Sequence, residues 1–151
     1  MRRKLSMARA LMVTAGFAGV ALGPLRLAAQ ATAGDAAAKG VAQGKYLVEG
    51  VAGCGDCHTP FTDKGEPDRT KWLQGAMLGF QPIQPVPNWA KVAPPLVGML
   101  GWNDADAIKF LMTGLDPKGK PARPPMPQFR FSKPDATAVV AYLRALKPGS
   151  K

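Results

Sequence analysis

The pentapeptide Cys54-Gly55-Asp56-Cys57-His58 constrains this chain more than any other stretch, because it holds both cysteines and the only histidine of 151 residues. Two thiols at i and i+3 lie on one helical turn. Each can form a thioether to a vinyl group of one porphyrin, and the adjacent imidazole is then placed to bind the iron. C-x-x-C-H is accordingly the attachment pattern of c-type haem. Three other uses of these residues fit less well. A thioredoxin-like dithiol opens a helix after a buried strand, and no β-branched run precedes Cys54. A structural zinc site takes four nitrogen or sulfur ligands, and Cys54, Cys57 and His58 exhaust the supply of cysteine and histidine. A plain disulfide suits an exported chain but gives the neighbouring histidine no role.

The N-terminus reads as a targeting segment. Arg2, Arg3, Lys4 and Arg9 form a basic start, Ala10 to Leu22 is a small-apolar stretch, and Ala29-Gln30-Ala31 or Ala31-Thr32-Ala33 offers an A-x-A cleavage site. Gly23-Pro24 and Arg26 break the apolar run short of the ~20 residues that a membrane span takes. The expectation is a signal peptide over 1–31, cleaved at about 31–33, a mature domain over 32–151 and a periplasmic location; if retained, the segment would be a membrane anchor.

Composition is informative only once that segment is set aside. The whole chain carries +10, but five of its twenty basic residues precede residue 32 and none of its ten acids does. Fifteen basic against ten acidic side chains leave +5 on the mature domain. No dense Lys/Arg stripe with interleaved aromatics remains, which argues against nucleic acid as a partner. About 120 residues make one domain with a modest core, to which haem would add apolar bulk.

Helical spacing appears in three places. Asp35 to Val51 leads into the haem motif, with Leu47, Val48 and Val51 recurring on one face and Gly44 leaving room for another helix to approach. Asn103 and Asp106 frame a capping box ahead of Ile108, Leu111 and Met112, with Gly114 as the stop. Ser132 and Asp135 open a last helix whose stripe is Val139, Tyr142, Leu143 and Leu146, ended by Pro148-Gly149. Residues 59–95, by contrast, are interrupted by Pro60, Pro67, Pro82, Pro85, Pro87, Pro94 and Pro95. Trp72, Leu73, Met77, Leu78, Phe80, Ile83 and Trp89 make this stretch too apolar for a purely solvated loop, so it is expected to cover the haem. One tryptophan is a candidate donor to a haem propionate through its indole N–H.

With no second histidine, bis-histidine ligation by this chain is excluded. Met112 on a helix face and Met99 in an apolar segment read as packing. Met77 stands in a loop and stays open as a ligand, as does a vacant or water-ligated iron. Met126 is favoured, because in Arg123-Pro124-Pro125-Met126-Pro127 the prolines fix φ and lower the loop's entropy, holding a thioether in place. Lys118, Lys120, Arg123 and Arg130 surround this loop. They would suit an acidic redox partner, and equally they would serve as ordinary solvated charges.

Taken together, a helix ending in C-x-x-C-H, the segment A-P-P-L-V-G-M-L-G at 93–101, a methionine loop and a final D-A-T-A-V-V-A-Y-L-R-A-L at 135–146 resemble a class I cytochrome c. The resemblance spans essentially the whole mature chain. It implies an all-α fold of few helices and long Pro-rich loops around one covalent haem c, attached at Cys54 and Cys57, with iron between His58 and Met126. It further implies that the Pro94 carbonyl accepts from the free nitrogen of His58, that Leu96 lies against the haem face, and that Gly44 and Leu47 meet Tyr142 and Leu143 where the first and last helices cross. With both axial positions filled, the implied role is a periplasmic one-electron carrier rather than an enzyme, exchanging electrons with redox partner proteins. The distance from His58 to Pro94 is longer than in small mitochondrial-type cytochromes and closer to the cytochrome subunits of periplasmic dehydrogenases. A stably bound subunit of such a complex is therefore one alternative, and a peroxidase or gas sensor with an open sixth site is another.

Overall fold

A computed structural model describes residues 23–148. The basic start and apolar stretch of the expected signal segment, residues 1–22, lie outside the described residues, as does Gly149.

Helix α1 spans Gly23–Tyr46. It begins earlier than the apolar spacing alone predicts, since the alanine-rich run has high intrinsic helix propensity and Pro24 is tolerated in a first turn. The end of α1 reaches the core: residues 33–39 are exposed, whereas Gly44 is buried. The chain then widens into a π-turn at Leu47–Val51, closed by Ala52 N–H donating to the Leu47 carbonyl at 2.8 Å. Both Leu47 and Val48 are buried there. The short helix α2 follows at Cys54–His58.

From Thr59 onward the path is irregular. A 3₁₀ turn at Arg69–Lys71 leads to β1 at Ala76–Met77, which pairs antiparallel with β2 at Val92–Ala93 in the register Ala76↔Ala93 and Met77↔Val92. Leu73 is fully buried, Trp72, Leu78 and Trp89 are half-buried, and Met77, Phe80 and Ile83 are exposed. The apolar side chains of this stretch thus divide between the protein core and its surface.

Helix α3, Asp104–Thr113, starts where the Asn103 side chain accepts from Asp106 N–H at 2.8 Å and ends at Gly114. Asn103 Nδ2 also donates to Asp106 Oδ2 at 2.7 Å, closing the box through side chains alone. Helix α4, Lys133–Ala145, is capped by Ser132. It buries Ala136, Ala138 and Val140 as well as Val139, Tyr142 and Leu143, because α1 and α3 both pack on it. At the α1–α4 crossing Gly44 has no substitute: a Cβ there would overlap the Ala138 carbonyl and lie 2.8 Å from the Tyr142 Cβ. Arg144 ties α4 to the preceding segment, donating to the carbonyls of Gly98, Met99 and Trp102 and to Asp104. The fold is mostly helical with little strand, and one core joins α1, α3 and α4 with Leu73 and Val97.

Candidate haem site

His58 closes α2 and is 6% exposed. Its Nδ1 donates to the Pro94 carbonyl at 2.6 Å. A carbonyl can only accept, so this bond puts the ring proton on Nδ1 and leaves the Nε2 lone pair for a metal. Burial holds the imidazole pKa below its usual value, and the Pro94 bond opposes that shift only in part. A buried, neutral, tautomer-fixed imidazole is the form in which histidine binds iron.

One further segment, Leu73 to Gly75, grips His58 and its neighbour Thr59. The His58 carbonyl accepts from Gly75 N–H at 2.8 Å, and the buried hydroxyl of Thr59 accepts from Leu73 N–H at 3.0 Å. Leu73 in turn accepts from Leu96 N–H at 2.8 Å, which draws the Pro94–Leu96 segment in beside it. Gly75 is required on two counts. Its φ is +85°, and a Cβ would stand 2.9 Å from both the Ala93 oxygen and the Pro95 nitrogen. Nothing in the sequence pattern marks Thr59 or Gly75 as part of the site; the one local signal is that Thr59 follows His58 directly.

Cys54 and Cys57 are free thiols one turn apart. Burial pushes the Cys54 pKa up to about 11, and Cys57 is raised by burial and by the neighbouring Asp56 carboxylate. Redox dithiols of C-x-x-C type are activated in the opposite direction, toward the thiolate. Among the described residues no group of three or more His, Cys, Asp or Glu side chains converges to hold a metal ion. The Trp72 ring fills the space that Gly55 leaves empty on α2, with the Arg69 guanidinium 4.1 Å above it.

Leu96 is half-buried against the protein core, as are Met99 and Met112. Met77 sits on β1, two residues from Gly75. Met126 is half-buried in a turn closed by its N–H donating to the Arg123 carbonyl at 3.0 Å. Both ends of this loop are tied to the end of α3, through Ala122 N–H to the Gly114 carbonyl and Phe131 N–H to the Leu111 carbonyl. Of the four cations around it, Lys118 and Lys120 are exposed on a turn organised by Asp116. Arg130 donates to Phe129 and Gln128, and Arg123 to the carbonyls of Asn88 and Trp89.

The residues present suit a haem. Beside the two thiols and the imidazole lone pair, the indole Nε1 atoms of Trp72 and Trp89 are buried without a hydrogen-bond partner. Trp72 lies near enough to lower the Tyr142 hydroxyl pKa, short of hydrogen-bond geometry. Trp89 Nε1 finds no acceptor among the described residues, a feature that calls for one from outside them.

Comparison with known proteins agrees. The Cytochrome c family matches residues 41–147. The fructose dehydrogenase cytochrome subunit of Gluconobacter japonicus is 33% identical over 109 residues, covering 69% of this chain and 21% of that protein. A diheme cytochrome c-type protein of Cereibacter sphaeroides is 31% identical over 108 residues, covering 68% of this chain and 34% of its own length. The cytochrome c subunit of the quinone alcohol dehydrogenase of Gluconacetobacter polyoxogenes is 38% identical over 84 residues, covering 49% of this chain and 16% of that subunit. This chain therefore spans about a third or less of each of these relatives. Over residues 41–147, from the last part of α1 to just past α4, it belongs to the cytochrome c family, whose c-type haem is bound covalently, here through Cys54 and Cys57.

Proposed function

We propose that the chain is an exported one-electron carrier whose haem iron is held between His58 and Met126. The observation that carries this reading is the buried His58 imidazole, neutral and fixed through Nδ1 by Pro94, with Nε2 presented as a ligand. Bound at this site, haem supplies a one-electron couple between ferrous and ferric iron.

Elimination supports Met126 as the opposite ligand. Met99 and Met112 are packed against the protein core. Met77 belongs to the strand pair that precedes Pro94 and is 75% exposed, as suits a surface residue rather than a ligand in a buried site. Met126 comes from a separate loop in which Pro124, Pro125 and Pro127 restrict the backbone. A thioether there favours the ferrous state and raises the reduction potential above that of a site with two nitrogen ligands. Trp89 is the donor best suited to a haem propionate, since its buried indole N–H has no partner among the described residues. Export rests on the basic and apolar N-terminal pattern, and no helix among the described residues is long and apolar enough to cross a membrane.

The test is a visible spectrum of the haem-loaded protein in both oxidation states, compared with Met126→Ala. The expected result is a low-spin wild type that turns high-spin in the variant. An unchanged spectrum would remove Met126 from the iron. Carbon monoxide binding to the reduced wild type without denaturant would favour the open-site reading instead.

The names of the relatives favour a second reading, in which the domain stays bound to a dehydrogenase as its cytochrome subunit. Co-purification with such an enzyme at high salt would support it over a free carrier.

A further inference from the structure

The methionine loop is fastened to a segment more than thirty residues away. Arg123 Nε donates to the Asn88 carbonyl at 3.1 Å, and its Nη2 donates to the Trp89 carbonyl at 3.2 Å. The next residue continues the contact in the opposite sense, the Pro124 carbonyl accepting from Ala90 N–H at 2.6 Å. Three consecutive residues, 88 to 90, are thereby joined to 123 and 124, and the Arg123 carbonyl closes the turn that carries Met126.

Asn88 has φ +59°, a left-handed conformation that asparagine adopts more readily than other L residues apart from glycine. It turns the chain at this point, and its carbonyl is one of the two that the guanidinium grips. The planar fork of arginine presents Nε and Nη2 to two successive carbonyls in one fixed geometry, whereas a lysine ammonium offers its donors from a single atom on a flexible stem.

We propose that Arg123 is a positioning residue for the sixth iron ligand: by clamping Asn88 and Trp89 it holds the methionine loop and the Trp89 segment as one unit and keeps Met126 on the iron. This deepens the reading above and rests on Met126 being the ligand. The prolines make the loop internally stiff, yet a stiff loop can still swing as a body about its tied ends, and the clamp adds to the Ala90–Pro124 bond in opposing that swing. Its two bonds are solvent-exposed, so their combined effect is modest.

Imidazole displacement of the methionine from the ferric, haem-loaded protein reads the swing directly. Arg123→Ala is expected to keep a low-spin spectrum at neutral pH while imidazole binds about tenfold faster. Arg123→Lys, which keeps the charge and loses the fork, is expected to resemble Arg123→Ala. In a Met126→Ala background, where there is no thioether to displace, Arg123→Ala should no longer change the rate. Wild-type rates in Arg123→Ala, full rescue by lysine, or the same tenfold change without Met126 would each overturn the proposal. Should Arg123→Ala fail to mature, the Arg123→Lys comparison decides alone, a wild-type rate counting against the clamp. A Met126→Ala spectrum identical to wild type would instead retire the ligand assignment beneath it, so the two failures are distinguishable.

Discussion

One hydroxyl joins the last helix to the turn that precedes the haem motif. Tyr142, 6% exposed, donates to Glu49 Oε1 at 2.5 Å. Burial first, and then the Glu49 carboxylate, push its pKa up to about 12. An unfolded tyrosine titrates near 10. Because the folded value is the higher one, the hydroxyl's contribution to stability is fully present below pH 10 and is lost as pH rises toward 12. Tyr142→Phe should therefore lower denaturant stability by about 1–2 kcal/mol at neutral pH, and the gap to wild type should shrink from pH 10 upward. A gap that stays constant over that range would mean that the folded hydroxyl titrates no higher than the unfolded one. At this scale legibility depends on contiguity. Cys54, Cys57 and His58 can be read directly because covalent attachment needs them within five residues. The Tyr142–Glu49 bond spans 93 residues and the His58–Pro94 bond 36. No local pattern encodes either one, and Pro94 is reachable only through the family resemblance. Gly75 and Thr59 escape for the same reason, since their partners are set by the path of the folded chain.

Helix α1 offers an internal control on what a glycine does at a crossing. Gly40 and Gly44 stand one turn apart, but a Cβ at Gly40 meets nothing within 4 Å whereas at Gly44 it collides with α4. Gly40→Ala should stabilise the protein by about 0.5–1 kcal/mol, the gain of removing glycine from a helix interior. Gly44→Ala should destabilise it by about 1–3 kcal/mol, since the backbone of Ala138 cannot yield as a flexible side chain would. Paired denaturant melts that shift in the same direction would show that α1 and α4 do not approach closely in solution. The elements themselves differ in how far they can be read in advance. Helices α3 and α4 announce their starts, because Asn103 and Ser132 are local capping signals. The π-turn at Leu47–Val51 leaves no mark, for widening the hydrogen-bond ladder depends on what packs against Leu47 and Val48. Strands β1 and β2 are two residues each, too short for an alternating pattern.

For the molecule as a whole the open matter is how electrons reach and leave it, and charge gives the most accessible handle. Residues 32–151 carry a surplus of basic side chains, fifteen against ten acidic. Around the methionine loop Lys118 and Lys120 are exposed on a turn built by their own backbone, while Arg123 and Arg130 are tethered yet still charged. An acidic redox partner would be steered toward this face over the Debye length, about 30 Å at 0.01 M salt and about 10 Å at 0.1 M. Electron exchange with such a partner should therefore slow most steeply between those two salt concentrations, as stopped-flow mixing would show. Lys118→Glu combined with Lys120→Glu should lower the rate at low salt and flatten its salt dependence, while the visible spectrum stays as in wild type because neither side chain lies in the haem site. A rate independent of ionic strength in the wild-type protein would mean that apolar contact rather than charge brings the partner in, and the exposed side chains of Met77, Phe80 and Ile83 would then be the surface to substitute next.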